Sequence, residues 1–383
     1  MLQFEMNEEG KAKIIVVGVG GAGCNAINRM IDSEVRGITY LAVNTDKQAL
    51  STCKAENKLQ IGEKMTKGLG AGGNPEVGQK SAEENMDDIA RYVNGSEMVF
   101  VTAGMGGGTG TGAAPIVAKV AKDLGILTVG VVTKPFTFEG RKRGEHGELG
   151  IQYLKKFVDA IVVVPNDKLL QISDNTTTFL DAFSMADEVL KQGVSGITDL
   201  ISKEGMINLD FADVQTVMRN RGIAHMGIGK GSGENKVKDA VTTAIESPLL
   251  ETTVAGAKAI ILNVTGGYDM GMLDVTEAAQ QIQSVADKDA FMIFGTSVNE
   301  NMQDEMHITI IATGFENERS NYAEESKFGR EEAVDGEPAP ENTVPRETKE
   351  QEFVDRKSLS EYLDLMDKES APSKFDIPTF LKK

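Results

Sequence analysis

From residue 13 to about residue 200, short apolar runs alternate with stretches in which apolar residues recur every three or four positions. The runs KIIVVG, TYLAVNT, MVFVTAG, ILTVGVV and AIVVVP are rich in Val and Ile at consecutive positions. That pattern predicts strands buried on both faces, as in a parallel sheet. Between them the three-to-four periodicity predicts helices over 24–33, 78–93 and 112–124, and a longer helix over 178–202 follows the last strand. Strands alternating with helices predict an α/β class, a doubly wound parallel sheet over 13–177 with 178–202 as a long central connecting helix.

The pattern changes over 222–315, where HMGIG, AKAIILNVTG, FMIFGTSV and MHITIIATG read as strands and 235–246 and 274–286 as helices. This predicts a second, smaller α+β domain. Residues 1–12 read as an N-terminal extension. After Phe315 the periodicity stops, and Glu, Asp, Pro, Ser and Lys over 316–370 predict a disordered acidic linker. The final stretch, 371–383, regains Phe375, Ile377, Phe380 and Leu381 after the polar tract. A small apolar cluster at the end of a flexible tether reads as a docking peptide.

Composition narrows the choice. A chain of 383 residues suffices for two domains, and with 5% aromatic residues and no Trp its core must be aliphatic, which favours α/β layers over an aromatic-rich sandwich. A formal net charge of −18 repels nucleic acid, so an anionic ligand has to be held locally, by backbone N–H groups, helix N-termini or a cation. The two cysteines, Cys24 and Cys53, form neither a CxxC pair nor a metal quartet, which predicts a reduced, cytosolic protein without a disulfide framework. No apolar run approaches the ~20 residues of a membrane span, so membrane insertion is not expected.

Two glycine-rich loops carry the candidate chemistry. GVGGAG at 18–23 follows a strand and opens a helix, a G-x-G-x-x-G pattern that lets backbone N–H groups approach a phosphate. A dinucleotide fold would add an acidic residue at the end of the next strand, but that strand ends at Asn44 with Asp46 slightly beyond. GGGTGTG at 106–112 also lies between a strand and a helix; its glycines allow N–H groups to converge on one anion, and Thr109 and Thr111 can add hydroxyls. Lacking a Lys-Ser/Thr pair, it is not a Walker A loop. Two such loops predict a nucleotide whose polyphosphate lies between two helix N-termini. An oxidoreductase and a non-hydrolysing nucleotide-binding scaffold remain as other readings.

At this loop the chain resembles the tubulin/FtsZ family of GTPases, over about 11–315. NTDKQAL, GLGAGGNPEVG, TAGMGGGTGTGAAP, KPFTFEGRKR, PNDKLL and NLDFADV occur in the family's order, and DIPTF resembles its C-terminal peptide. Ala22 and Cys24 depart from residues common in the family. The resemblance implies a self-assembling GTPase that binds GTP or GDP with Mg²⁺, polymerises head to tail and forms a division ring at mid-cell in the cytoplasm, its tail recruiting membrane-tethering and regulatory division proteins.

The resemblance also implies site residues. Gly20, Gly21, Asn25 and Asn44 fall near the phosphates, Ala71, Gly72 and Gly73 over the γ-phosphate, and Gly104, Gly107, Gly108, Thr109 and Gly110 in the main cradle. Thr133, Pro135, Glu139 and Arg143 fall at the ribose and phosphates, and Asn166, Phe183 and Asp187 at the base. Phe183 and Asp187 are four apart and share a helix face. Asn208, Asp210 and Asp213, in the 203–221 loop and following helix, are implied to act on the nucleotide of the next subunit. Read without the family, Asp210 caps a helix and Asp213 sits in its first turn. The tail contacts are implied to be Asp376, Ile377, Pro378, Phe380 and Leu381. His146, His225 and His307 show no metal-ligand spacing, and Mg²⁺ is expected to be held mainly by phosphate.

Overall fold

The computed structural model describes residues 12–35, 37–171, 177–202, 207, 210–246, 254–300 and 302–315. The apolar runs are strands β1 (Ile14–Val19), β2 (Ile38–Asn44), a short β3 (Asn57–Gln60), β4 (Met98–Gly104), β5 (Leu127–Lys134) and β6 (Ala160–Pro165). Every residue of β1 is buried, which accounts for the unbroken apolar run. Helices α1 (Gly20–Asp32), α2 (Lys47–Thr52), α3 (Glu63–Thr66), α4 (Pro75–Glu84), α5 (Met86–Val93), α6 (Thr109–Asp123), α7 (Arg141–Lys155) and α8 (Asn166–Gln171) fill the connections. The long α9 (Phe179–Ser202) and α10 (Phe211–Met218) precede β7 (Gly222–Ser232), α11 (Lys236–Ile245), β8 (Ala259–Gly266), α12 (Met272–Val285), β9 (Phe291–Val298) and β10 (Glu305–Thr313).

The strands form one sheet in the order β3-β2-β1-β4-β5-β6-β7-β10-β8-β9. Strands β1 to β7 are mutually parallel where they pair, and β10 runs antiparallel to both β7 and β8. The parallel half and the mixed half meet at a narrow seam, Ala160 opposite Gly222 and Ile161 opposite Ile223. One core continues across it: Val16, Val131, Ile261 and Ile311 belong to the same buried cluster as Leu190, Val194 and Ile197 of α9. The spacing of those three residues places one α9 stripe against the sheet.

Several elements differ from the periodicity reading. The helix expected over 78–93 breaks at Asn85, whose side chain accepts from Gly62 N at 3.0 Å and donates to Asp88 at 2.8 Å, tying down a loop. Edge strand β3 is polar and four residues long, too short and too mixed to show a period. The α7 sequence, RKRGEHGELGIQYLK, hides a helix behind three glycines, yet Leu149, Ile151 and Leu154 are buried.

Helix α6 starts at Thr109, three residues before the expected 112, so part of the glycine-rich loop is its first turn. Glycine disfavours helix, but close packing against α4 outweighs this: a Cβ on Gly112 would lie 1.9 Å from the Pro75 carbonyl oxygen. Gly112→Ala is therefore expected to destabilise the chain by about 3 kcal/mol. In contrast, Gly144 in α7 has no atom within 4 Å of the same position, so Gly144→Ala should raise stability by about 0.5–1 kcal/mol. Urea unfolding of the two variants checks both signs.

Candidate functional site

In the parallel half, strand order reverses between β1 and β4, from which chains leave in opposite lateral directions. A crevice opens at the carboxyl ends of strands at such a point. Register brings the ends level, Val19 opposite both Val43 and Ala103, and Gly104 opposite Thr133. Helices α1 and α6 both begin at this edge. Their first turns touch backbone to backbone: a Cβ on Gly20, whose φ is 74°, would lie 2.8 Å from the Gly110 nitrogen. Two positive helix ends thus face one crevice, an arrangement suited to a polyphosphate.

The loops around the crevice are positioned by specific contacts. The 71–74 segment lies on the second glycine loop, a Cβ on Gly108 being 2.9 Å from both the Ala71 Cβ and the Asn74 nitrogen. Gly72 and Gly73 beyond it are exposed and left-handed, with φ 60° and 75°. Gly21 and Asn25 are exposed on α1. Glu139 accepts from Phe136 N at 2.9 Å and pairs with Arg143 at 2.7 Å, which leaves the guanidinium 3.8 Å from a Cβ built on Gly107. Pro135 borders Gly106, and Thr133 is buried with its carbonyl accepting from Met105 N at 2.9 Å.

The hydroxyl and N–H donors expected of the second loop need correction. Thr111 is fully buried and its oxygen accepts from Gly106 N at 2.9 Å, so it braces the loop from beneath. Gly112 N is used within the helix, bonding Gly108 O at 3.0 Å. Thr109 shares a 2.7 Å hydrogen bond with Thr45. Asn44, also buried, receives Asp46 N at 3.2 Å on its oxygen, and Asp46 itself caps α2 by accepting from Gln48 and Ala49. An α2 cap explains why an acid stands just beyond β2 in this sequence.

At the other end of the crevice lies an aromatic wall. Phe136 and Phe138 stack at 4.9 Å, and Phe183 of α9 meets both edge-on at 5.4 and 6.4 Å. Asp187, one turn on, is largely buried and pairs with Arg29 Nε at 3.4 Å; Arg29 Nη2 also donates to Ser184 at 2.7 Å. Burial pushes the Asp187 carboxyl up to about 6, and Arg29 pulls it partly back. Asn166, after β6, is buried, and its side-chain oxygen has no hydrogen-bond partner. Such an acceptor fits a donor supplied from outside the chain. Arg29 escaped sequence reasoning because a single basic residue on an amphipathic helix carries no signal until α1 is packed against α9. Phe138 was present in the KPFTFEG run but not singled out.

The third group of candidates is elsewhere. Asp210 caps α10 by accepting from Asp213 N at 2.8 Å, and Asp213 reaches back to Asp210 N at 3.4 Å. Nearby Ile207 bridges Thr296 of β9, six strands from β4 in the sheet order. At ~4.8 Å per strand this is about 29 Å, and three residues span at most about 10 Å, so Asp210 stays on the order of 20 Å from the glycine loops. After α10 the chain meets the amino ends of β5 and β6, where Arg219 donates to Gly125 O at 3.2 Å and Arg221 N to Asp159 O at 2.8 Å. Asn208 lies outside the described residues, as do Asp376, Ile377, Pro378, Phe380 and Leu381 and the linker before them.

The raised Asp187 carboxyl has a stability consequence. Its folded value of about 6 exceeds the ordinary 3.8, so its favourable contribution is complete below pH 3.8 and lost as pH rises through 6. Asp187→Asn, which resembles the protonated acid, should stabilise the nucleotide-free chain by about 2 kcal/mol at neutral pH. The advantage should vanish below about pH 4. Urea unfolding of both chains across that range measures it.

Two family models and several solved structures match the chain. Residues 13–174 match the Tubulin/FtsZ family GTPase domain, and residues 222–316 match the FtsZ family C-terminal domain. An empty FtsZ dimer from M. jannaschii is 43% identical with a TM-score of 0.77, over 81% of this chain and 90% of that one. A point mutant of the same organism's FtsZ is 44% identical with a TM-score of 0.76, over 80% of this chain and 92% of its own. A GTPγS-bound CetZ2 protofilament from Haloferax volcanii shares the fold at 20% identity and a TM-score of 0.66, over 83% and 99%. The chain is thus a member of the tubulin/FtsZ family and carries its GTPase domain followed by the FtsZ C-terminal domain.

Proposed function

We propose that the chain polymerises head to tail, hydrolysing GTP where one copy meets the next. One feature carries the reading: strand spacing sets Asp210, with Asp213 hydrogen-bonded to it, on the order of 20 Å from the glycine loops, so a single copy does not bring these acids to phosphates held there. A second copy can. The dimeric state of the M. jannaschii FtsZ structure supports self-association as the route.

In this reading the phosphates lie on the N–H groups of Gly20 and Gly21 and of Gly107, Gly108, Thr109 and Gly110. Asn25, Asn44 and Gly104 border them, with 71–73 over the γ-phosphate. Thr133, Pro135, Glu139 and Arg143 flank the ribose and phosphates. The base lies on Phe183, with Asp187 accepting from guanine N1–H and the 2-amino group and Asn166 offering its unpartnered oxygen to a donor. A hydrogen bond to a charged group contributes ~1.5–3 kcal/mol, which corresponds to roughly tenfold or more in favour of guanine over adenine. Mg²⁺, bound chiefly through phosphate oxygens, would supply charge neutralisation. Asn208, Asp210 and Asp213 of the next copy would orient the attacking water and accept its proton as the β–γ bridging bond breaks.

The wider reading places the polymer in a cytoplasmic division ring, with 178–202 linking the 13–177 and 222–315 domains, and 371–383 recruiting membrane-tethering and regulatory division proteins. Neither nucleic acid nor direct membrane insertion enters it; among the described residues no helix is long and apolar enough to cross a membrane.

Phosphate release from GTP with Mg²⁺, followed against protein concentration, tests shared catalysis. Activity per molecule should be near zero below a threshold and rise steeply above it; constant specific activity would sink the proposal. Asp213→Ala should lower turnover by about 100-fold or more while nucleotide affinity is kept. Base recognition by Asp187 has a pH signature of its own, because guanine binding requires the ionised carboxylate. GTP affinity should fall as pH drops below about 6, and the inflection should be missing in Asp187→Asn.

A further inference from the structure

Cys24 and Cys53 are the only cysteines of the sequence, twenty-nine positions apart, and both are buried, at 3% and 4% exposure. Cys24 lies in the first turns of α1, between Gly23 and Asn25, and Cys53 ends α2. The structure holds them together. The Cys53 thiol donates to the Cys24 carbonyl oxygen at 3.9 Å, and the Cys24 sulfur contacts Gly18 O at 4.0 Å and accepts from Asn44 Nδ2 at 3.9 Å. The segments that carry them are pinned on the next residues: Lys54 N donates to Asn28 Oδ1 at 2.7 Å, and Lys54 Nζ pairs with both Asp32 oxygens at 2.6 and 2.8 Å. Neither thiol has to be carried across the fold to reach the other.

We infer that Cys24 and Cys53 are a reversible dithiol–disulfide pair, oxidised by a small hydroperoxide, whose closure distorts the first phosphate loop and weakens nucleotide binding. The dithiol itself is independent of the proposed function, whereas the binding consequence rests on it.

The chemistry is set by the contact. Interaction between the two side chains draws the Cys53 thiol down and, together with burial, pushes the Cys24 thiol up, so Cys53 is the one that gives up its proton to attack. The Cys53 thiolate attacks a peroxide oxygen and the O–O bond breaks, giving a Cys53 sulfenic acid and a leaving oxygen that takes a proton to become water. Cys24 sulfur then attacks the sulfenic sulfur as its own proton passes to the departing oxygen; the S–O bond breaks and a second molecule of water leaves. Two thiols lose two hydrogens and two electrons, and one hydrogen peroxide is reduced to two waters. Burial slows oxidation and bars bulky reagents, so the oxidant is a small one.

Closing the S–S bond brings the sulfurs to about 2.05 Å and removes the thiol contacts that Cys24 makes with Gly18 and Asn44. Those residues flank the turn from β1 into α1 and the end of β2, the elements that set Gly20, Gly21 and Asn25 against the crevice. A transient disulfide of this type suits a reducing compartment, where persistent ones are rare.

The test treats the full chain with graded hydrogen peroxide, quenches with acid and alkylant, and measures intact mass without reductant. The expected result is loss of two hydrogens with no alkylation, a single peptide joining Cys24 to Cys53, and recovery of both thiols with reductant. GTP affinity of the oxidised form should fall by about tenfold or more and return on reduction. Cys53→Ser should keep the reduced-state affinity and be indifferent to peroxide. Two alkylatable thiols after oxidation, cross-links only between copies, or a disulfide that leaves GTP affinity unchanged would each overturn the inference. Should the reduced chain bind no GTP, the proposed function falls by itself. Amide exchange across 18–25 then decides: a change on oxidation supports a lock on the loop, and identical exchange rejects it.

Discussion

Helices α1 and α6 can both begin at the β1/β4 reversal because their first turns meet without side chains between them. Gly20 against the Gly110 nitrogen leaves no room for a Cβ, and Gly112 meets α4 in the same way. Positive helix ends would ordinarily repel one another, and here the buried strands behind them hold both at one edge. The crevice is consequently a place of unbalanced positive potential in a chain with a net charge of −18. Local backbone geometry overrides the global charge, as it must for an acidic protein to hold an anion.

Much of this was legible in the sequence, and the reason is physical. Parallel strands buried on both faces have no choice but continuous apolar runs, so β1, β4, β5 and β6 announce themselves, and the glycines at 18–23 and 106–112 mark backbone approach. What stayed hidden depends on packing between distant elements. The start of α6 inside a glycine run is intelligible only once α4 lies beside it, and the α7 helix only once Gly147 and Gly150 face Pro135 and Thr111. Thr111 reads as a hydroxyl donor until burial turns it inward. Arg29 gains its significance from the angle at which α1 crosses α9, which no period in either helix encodes. Phe183 and Asp187 had a spacing but no chemistry until the resemblance supplied one.

Helix α9 has a second role beyond bearing those residues. It is 24 residues, about 36 Å, and its buried stripe belongs to a core that includes strands from both halves of the sheet. The pairing of β6 with β7 is confined to two residue pairs, so the two halves are held by apolar packing under α9 more than by ladder hydrogen bonds. Non-directional packing tolerates small rotations that a continuous ladder would resist.

The separation between the crevice and the α10 acids has an arithmetic of its own. If copies join as proposed, each junction contributes one complete site, so a row of copies always holds one fewer complete site than it holds nucleotides. An isolated copy has none, and a pair has one. The two ends of such a row are chemically unlike, one presenting a nucleotide with no acids over it and the other presenting acids with no nucleotide under them. Polarity, and a terminal nucleotide shielded from turnover until another copy arrives, would follow from where α10 sits in the sheet.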